Sequence, residues 1–183
     1  RQEKYPEKIV TLHKDAVEAG SDIFLTNSFG SNALRLKLHN SGSRAFDLSK
    51  ISAEIARDVV DSCDRTVFVA GSVGPTGEIM GPVGDLTHQL AVEVFHEQAQ
   101  GLKEGGADLL WLETISAPEE FKAAAEAFSQ IELPWVGTMS FDTAGRTMMG
   151  TSPAAMVELV SSIPNKPIAF GANCGTGAPD LLR

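Results

Sequence analysis

One cysteine in this sequence stands where a chemically active group would be expected. Cys174 follows the apolar run 168–172 and precedes the glycine-rich segment 175–177, so it should emerge from a buried strand into a turn that opens a helix. Backbone N–H groups and a helix N-terminus favour an anion, which would stabilise a thiolate there. Free cysteine is also among the most buried residue types, so a core cysteine remains the alternative. For Cys63, at a helix end, the structural interpretation is favoured.

A carboxylate occupies the equivalent place one predicted strand earlier. Glu113 directly follows the apolar run 109–112. A carboxylate at such a position is costly unless another group pairs with it. A substrate ammonium group would serve, and a salt bridge to a neighbouring lysine or arginine is the structural alternative.

Polar and glycine residues follow all five apolar runs of the chain. These segments are 26–30, 71–78, 113–114, 140–143 and 173–177. In parallel α/β folds the ligand site forms where the strands end. Polar residues at every strand end therefore predict one shared site and favour an enzyme.

The elements that must position these residues alternate along the chain. Buried strands are predicted at 22–28, 66–70, 108–112, 135–139 and 168–172, because near-continuous apolar runs suit parallel strands covered on both faces. Amphipathic helices fill the gaps. One should bury Leu48, Ile51, Ile55, Val59 and Val60, and others should begin at Thr87, at a capping box from Ser116 to Glu119, and at Ser152.

This alternation predicts a single α/β domain over residues 1–183 with five parallel strands. Periodicity does not distinguish an open, doubly wound sheet from a (β/α)8 barrel. A barrel needs eight strands and typically ~250 residues. If the fold is a barrel, it is incomplete here, with one strand expected before residue 1 and two after residue 183.

Composition restricts the partners of this chain. Its 183 residues are 43% hydrophobic and 21% charged, and 15 basic against 24 acidic residues give a formal charge of −9. Such an acidic surface argues against nucleic acid and anionic membranes. No apolar run approaches the ~20 residues of a membrane span. Two cysteines and no apolar leader predict a reducing, cytoplasmic setting.

The polar strand ends resemble those of the homocysteine S-methyltransferase family. The matching segments run in the family's order and cover nearly the whole chain, namely 13–20, 22–30, 70–78, 109–119, 140–153 and 171–177. The segment Gly171-Ala172-Asn173-Cys174 at a strand end is quite specific to this family. The run 140–150 looks most like bacterial betaine–homocysteine S-methyltransferases.

The resemblance implies a (β/α)8 TIM barrel that binds one zinc ion through three cysteine thiolates. Cys174 matches the first of these, and Glu113 matches the glutamate that holds the homocysteine amino group. Thr26, Asn27 and Phe29 match the loop that lines the substrate pocket, and we place Asn173 with the substrate-binding residues. The family's C-terminal Gly-Gly-Cys-Cys segment and its first strand have no counterpart in these 183 residues, so this chain alone is expected to be inactive.

The function that follows is zinc-dependent methyl transfer to the thiolate of homocysteine, giving methionine, with betaine as the donor. An alternative donor is S-methylmethionine or methyltetrahydrofolate, the latter in a module of a cobalamin-dependent methionine synthase. An alternative of another class is a barrel fragment without catalysis. The partners are then homocysteine and a small methyl donor, and a homo-oligomer is left open.

Overall fold

The computed structural model describes residues 3–142, 144–175 and 177–181, which form alternating strands and helices. The strands are β1 (Ile23–Leu25), β2 (Phe68–Val73), β3 (Leu109–Ile115), β4 (Trp135–Met139) and β5 (Ala169–Ala172). The helices are α1 (Pro6–Glu18), α2 (Ala33–Lys37), α3 (Ala45–Asp61), α4 (His88–Glu104), α5 (Pro118–Phe128), α6 (Pro153–Ser162) and α7 (Ala178–Leu181), and a short 3-10 turn (Gly42–Arg44) precedes α3.

The five strands of the described chain form one parallel sheet in the order β1-β2-β3-β4-β5. A doubly wound sheet reverses its strand order at a switch point, whereas a barrel adds each strand beside the preceding one. Spatial order that follows chain order is therefore the arrangement of part of a barrel. The prediction of an incomplete barrel with five parallel strands is confirmed.

The second strand lies further along the chain than the run 66–70 predicts. Gly71, Ser72 and Val73 belong to β2, because they pair with residues of β3 in a regular parallel register. The polar Ser72 is thus a strand residue rather than part of a loop, and it is buried. The fixed strand backbone gives its hydroxyl a defined direction, which matters for the site.

Helices cover the outer face of the sheet with a dense aromatic and aliphatic core. Trp135 of β4 packs against Phe121 and Phe128 of α5, with ring centroids 5.5 Å apart in both pairs. Such tilted and edge-on pairs contribute about 0.5–1.5 kcal/mol each beyond their buried area. Phe95 and Leu102 of α4 are fully buried in the same cluster.

The inner face of the sheet carries a smaller cluster. Ala70, Leu109 and Val136 are buried there, with Trp111 packed against them. At the β1 side, Ile23 and Phe68 keep 45% and 46% of their surface exposed. Within the described residues the sheet is therefore closed by helices on one face only.

Helix α3 is present, and Val59 and Val60 are buried as predicted, but Leu48, Ile51 and Ile55 are not. Its buried residues are mostly small, namely Ala45, Ser49, Ser52, Ala53, Ala56, Val59 and Val60, while Leu48, Ile51 and Ile55 stay half-buried. The reason is the close approach of α4. A Cβ at Gly101 would lie 2.5 Å from the Phe46 carbonyl oxygen, and one at Gly105 would lie 2.3 Å from that of Lys50. Small side chains allow this contact.

Two of the three predicted helix starts are confirmed. The side chains of Thr87 and Ser152 accept hydrogen bonds from the third residue after each, as N-caps do. The predicted capping box at Ser116 is wrong. Ala117 is the N-cap of α5 and has extended dihedrals, because a residue before proline is disfavoured in the helical region.

Candidate active site

The polar side chains predicted at the strand ends meet at the carboxyl edge of the sheet. The hydroxyl of Ser72 on β2 donates to the Glu113 carboxylate on β3, with 2.5 Å between Oγ and Oε1. The side chains of Thr114 on β3 and Thr138 on β4 are both hydrogen-bonded to Asn173, just after β5. Four adjacent strands, from β2 to β5, are thus linked at this edge.

A buried hydrogen-bond network joins the end of β1 to β2 behind this edge. Ser28 Oγ donates to the Ser72 carbonyl at 2.7 Å, and Ser72 N donates to Thr26 Oγ1 at 2.9 Å. The single hydroxyl hydrogen of Ser28 is then used, so Thr26 is the donor in the 2.6 Å contact between the two hydroxyls. The Thr26 side chain therefore stabilises the junction between the end of β1 and β2. Its contact with a substrate stays a prediction.

Gln98 of α4 reinforces the same junction from the helical side. Its Nε2 donates to the carbonyls of Ser28 at 2.8 Å and Ser72 at 3.2 Å, and the residue is fully buried. The sequence analysis missed Gln98. The sequence feature that could have indicated a role for Gln98 is its position as a single glutamine within an apolar helix face.

Glu113 is half-buried. Among the described residues no lysine, arginine or histidine forms an ion pair with it. Its observed partner is the neutral hydroxyl of Ser72. A carboxylate arranged in this way can accept a cationic group from a ligand, and the structural alternative of a salt bridge is not seen in this part of the chain.

Cys174 is exposed just after β5 in the described chain. Its φ is +61°, and that of Gly175 is +72°. A Cβ at Gly175 would lie 2.5 Å from the Phe141 carbonyl oxygen, so the glycine allows the chain after Cys174 to rest on the β4–α6 loop. Cys63 is half-buried, and its thiol contacts the Val59 carbonyl at 3.1 Å, as expected for a structural cysteine.

Asn27 and Phe29 lie at the β1 end of the same edge, and both are exposed. The carbonyl of Phe29 accepts a hydrogen bond from Gly74 N at 3.1 Å. The Phe29 ring lies so close that a Cβ at Gly74 would be 2.7 Å from two ring carbons. Glycine at position 74 thus lets an exposed aromatic ring lie against the β2–α4 loop.

The described residues include one candidate for the metal ligands that the resemblance implies, Cys174. No group of three His, Cys, Asp or Glu side chains able to hold a metal occurs in ranges 3–142, 144–175 and 177–181. Cys174 is a soft sulfur ligand on the exposed edge, which suits zinc. The described part of the chain therefore fits one position of a zinc site and not a complete one.

A cavity of about 390 Å³ opens beside Thr114, between the loops after β2, β3 and β4. Its lining combines exposed apolar side chains, among them Ile79, Met148 and Met149, with the carboxylates of Glu119 and Glu120. A cavity of about 570 Å³ lies elsewhere, along α5 and the end of α6, away from the polar strand ends. Only the first adjoins the candidate site.

Glu120 holds the loop that forms one wall of this cavity. Its Oε1 accepts hydrogen bonds from Thr76 N at 2.7 Å and from Thr76 Oγ1 at 2.6 Å, and the residue is only 5% exposed. Burial raises the pKa of Glu120 above its ordinary value, while the bonds from Thr76 and the charge of Arg35 oppose this increase. The sequence analysis did not single out Glu120.

Glu120→Gln is expected to flatten the pH dependence of stability. Because the folded pKa is raised, the folded chain binds the proton more tightly than the unfolded chain, and stability falls as pH rises from the ordinary glutamate pKa through the raised one. Urea unfolding between about pH 4 and pH 8 would measure this. The loss of stability with rising pH should be smaller in Glu120→Gln. The variant of its exposed neighbour, Glu119→Gln, should keep the wild-type dependence of stability on pH. Parallel profiles for all three proteins would contradict the prediction.

A parallel sheet wound in chain order, covered by helices outside and polar at its carboxyl edge, defines an enzyme-type α/β barrel domain. The chain belongs to the homocysteine S-methyltransferase family, whose family model matches residues 2–183. The prediction made from the strand-end motifs is confirmed by this match.

Individual relatives agree with this assignment. The methionine synthase of Mycobacterium tuberculosis (strain ATCC 25618 / H37Rv) is 31% identical over 188 residues, which cover 98% of this chain and 16% of that protein. The oxidized form of the homocysteine methyltransferase MmuM from Escherichia coli is 25% identical with a TM-score of 0.79, covering 92% of this chain and 62% of that one.

The metallated form of MmuM matches with the same TM-score of 0.79 and 25% identity, covering 92% of this chain and 63% of that one. A putative deoxyribose-phosphate aldolase from Toxoplasma gondii ME49, 14% identical with a TM-score of 0.55 over 91% of this chain and 61% of that one, shares the fold alone. The chain thus spans less than two thirds of these relatives, and about one sixth of the methionine synthase.

Proposed function

We propose that this chain supplies the homocysteine-binding part of an enzyme that methylates homocysteine sulfur to give methionine. The observation that carries the proposal is the Glu113 carboxylate, which is oriented by Ser72 and has no cationic partner in the described chain. It lies at the strand edge that also carries exposed Cys174. Membership of the homocysteine S-methyltransferase family supports the same reaction.

The residues of the edge would act mainly by binding and orienting the amino acid. Glu113 would accept the substrate ammonium, and a charge-assisted hydrogen bond of this kind is stronger than a neutral one. Asn27 and Phe29, exposed at the β1 end, would form a wall of the pocket. Holding the sulfur and the methyl donor at reacting distance replaces a bimolecular encounter and can account for much of the rate.

The sulfur must be ionised to attack a methyl group, and zinc is the proposed means. A free thiol has a pKa near ~8.5, so little thiolate exists at neutral pH. Bound zinc would hold homocysteine as a thiolate, because a coordinating thiol is deprotonated outright. Cys174 would be one protein ligand, and the remaining ligands would come from outside the described residues.

Betaine is the proposed methyl donor, on the likeness of residues 140–150 to the bacterial betaine-type enzymes. A quaternary ammonium favours aromatic faces. Phe29 is exposed at the edge, and Trp111 is half-buried on the inner face of the sheet. The likeness to a methionine synthase keeps methyltetrahydrofolate as the alternative donor, and S-methylmethionine remains a third.

A donor panel tests the proposal. The full-length protein, loaded with zinc, would be incubated with homocysteine and with betaine, S-methylmethionine or methyltetrahydrofolate, and methionine would be measured by mass spectrometry. Methionine should form with betaine, and no S-methylcysteine should form when cysteine replaces homocysteine. Formation with another donor alone would correct the donor, and no methionine with any donor would contradict the function.

The remaining expectations concern the setting of the enzyme. Within the described part of the chain, no helix is both long enough and apolar enough to cross a membrane. The formal charge of −9 opposes binding to phosphate backbones. A cytoplasmic location and small-molecule partners, homocysteine and the donor, stay part of the proposal.

A further inference from the structure

Thr114 has a backbone conformation that its own side chain disfavours. Its φ is +64°, in the left-handed region, where a β-branched residue is a genuine outlier. The register between β3 and β4 is irregular between Leu112 and Ile115, so Glu113 and Thr114 form a bulge. Bulges redirect side chains and occur next to active sites. The direction of Glu113 therefore depends on keeping Thr114 in this conformation.

Asn173 makes three hydrogen bonds, two of them to Thr114 in the bulge and one to Thr138 of β4. Its Oδ1 accepts from Thr114 N at 2.9 Å and from Thr138 Oγ1 at 2.7 Å, and its Nδ2 donates to Thr114 Oγ1 at 2.8 Å. Both acceptor positions of the amide oxygen are thus used, and one N–H remains. Most of the hydrogen-bonding capacity of the Asn173 side chain is therefore used within the protein.

Asn173 also adjoins the second candidate group. Cys174 follows it with φ of +61°, and the chain beyond is placed by the contact of Gly175 with Phe141. Two left-handed residues, Thr114 and Cys174, therefore lie on either side of one hydrogen-bonded asparagine. Backbone outliers of this kind persist only when their surroundings enforce them, and they cluster at active sites.

We propose that Asn173 is a positioning residue, which holds Thr114 in its left-handed conformation and thereby sets the separation of Glu113 and Cys174. The inference rests on the proposed function, because those two groups would receive the amino end and the sulfur of homocysteine. The sequence analysis placed Asn173 with the substrate-binding residues. In this proposal Asn173 instead acts through Thr114.

A double-mutant cycle in the full-length protein tests this mechanism. Glycine adopts a positive φ without steric cost, so Thr114→Gly removes the need for the asparagine. Asn173→Ala should raise the KM for homocysteine about tenfold in the wild-type background and less than about twofold in the Thr114→Gly background. Equal effects in the two backgrounds would overturn the proposal.

Asn165→Ala is the matched control. Asn165 lies before β5, at the opposite end of that strand, where its Nδ2 donates to the Ala125 carbonyl at 2.9 Å. The Asn165→Ala variant loses a similar amide hydrogen bond and should leave the KM for homocysteine unchanged. If Asn173→Ala does no more than this control, its role is only structural and the proposal fails. If Asn173→Ala does not fold, Thr138→Val removes one of the three bonds and takes its place in the cycle.

Amide hydrogen exchange separates this inference from the proposed function. The Thr114 amide hydrogen is bonded to Asn173 and can be followed without any substrate. Its exchange should become at least about tenfold faster in Asn173→Ala and not in Asn165→Ala. Faster exchange in a protein that never makes methionine would reject the proposed function alone. Unchanged exchange would overturn the positioning role even in an active enzyme.

Discussion

Cys174→Ser is expected to remove zinc and methyl transfer together from the full-length protein. Serine has nearly the same size but lacks the soft thiolate that zinc prefers. Because Cys174 is exposed, the substitution should leave the fold intact. We expect zinc content, measured by atomic emission, to fall well below one per chain, and the rate of methionine formation to fall by roughly 10³-fold or more.

The other cysteine of the chain provides the control for this experiment. Cys63 lies at the end of α3, where its thiol contacts the Val59 carbonyl. Cys63→Ser should keep both zinc and activity. Normal zinc content in Cys174→Ser would remove this residue from the metal site, and loss of zinc in both variants would point to unfolding instead.

Glu113→Gln is expected to weaken homocysteine binding by about 10²-fold, because truncating the charge of a paired group costs several kcal/mol. The amide oxygen can still accept the hydrogen bond from Ser72, so the geometry is kept while the charge is lost. The KM for homocysteine should rise far more than kcat falls. Steady-state kinetics at saturating donor would measure both parameters.

An exposed glutamate outside the cavity lining serves as the comparison. Glu158 is exposed on α6, and Glu158→Gln should leave the KM for homocysteine within about twofold of wild type. A second substrate analogue sharpens the test. If 4-mercaptobutyrate, which is homocysteine without its amino group, reacts equally with wild type and Glu113→Gln, the carboxylate acts on the ammonium. An unchanged KM for homocysteine would reassign Glu113 to a structural role.

The sequence was sufficient to predict that five strands exist, because their apolar runs are short, but β2 extends three residues beyond the predicted run. It was not sufficient to predict their order. An open sheet and a barrel bury the same apolar runs, and the difference lies in which strands are neighbours. The resemblance to a family supplied that choice, and the chain-order sheet agrees with it.

The sequence predicted that polar side chains gather at one edge of the sheet, but it predicted few of their contacts. Polar residues at strand ends indicated Glu113 and Cys174, since parallel strands end at the same edge. The partners of these residues are distant in sequence: Ser72 and Glu113 are 41 residues apart, and Gln98 lies 70 residues after Ser28. No local pattern encodes such pairs, so the supporting hydrogen bonds required the fold.

Residue size and local sterics explain the other two errors. The face of α3 was assigned by hydrophobicity, whereas the close approach of α4 selects small residues such as Ala53 and Ala56. At α5 the Ser116 motif matched a capping box, but Pro118 makes its predecessor extended and moves the helix start by one residue. In both cases the sequence pattern did not account for steric exclusion between neighbouring groups.

The bonds from Asn173 also determine when this edge is completed during synthesis. Asn173 follows Thr114 by 59 residues, so β1 to β4 leave the ribosome before the residue that fixes the bulge on β3. A nascent chain that has paired only those four strands lacks the contacts that hold Thr114 left-handed. On the proposed role of Asn173, Glu113 would acquire its final direction only after β5 has paired with β4.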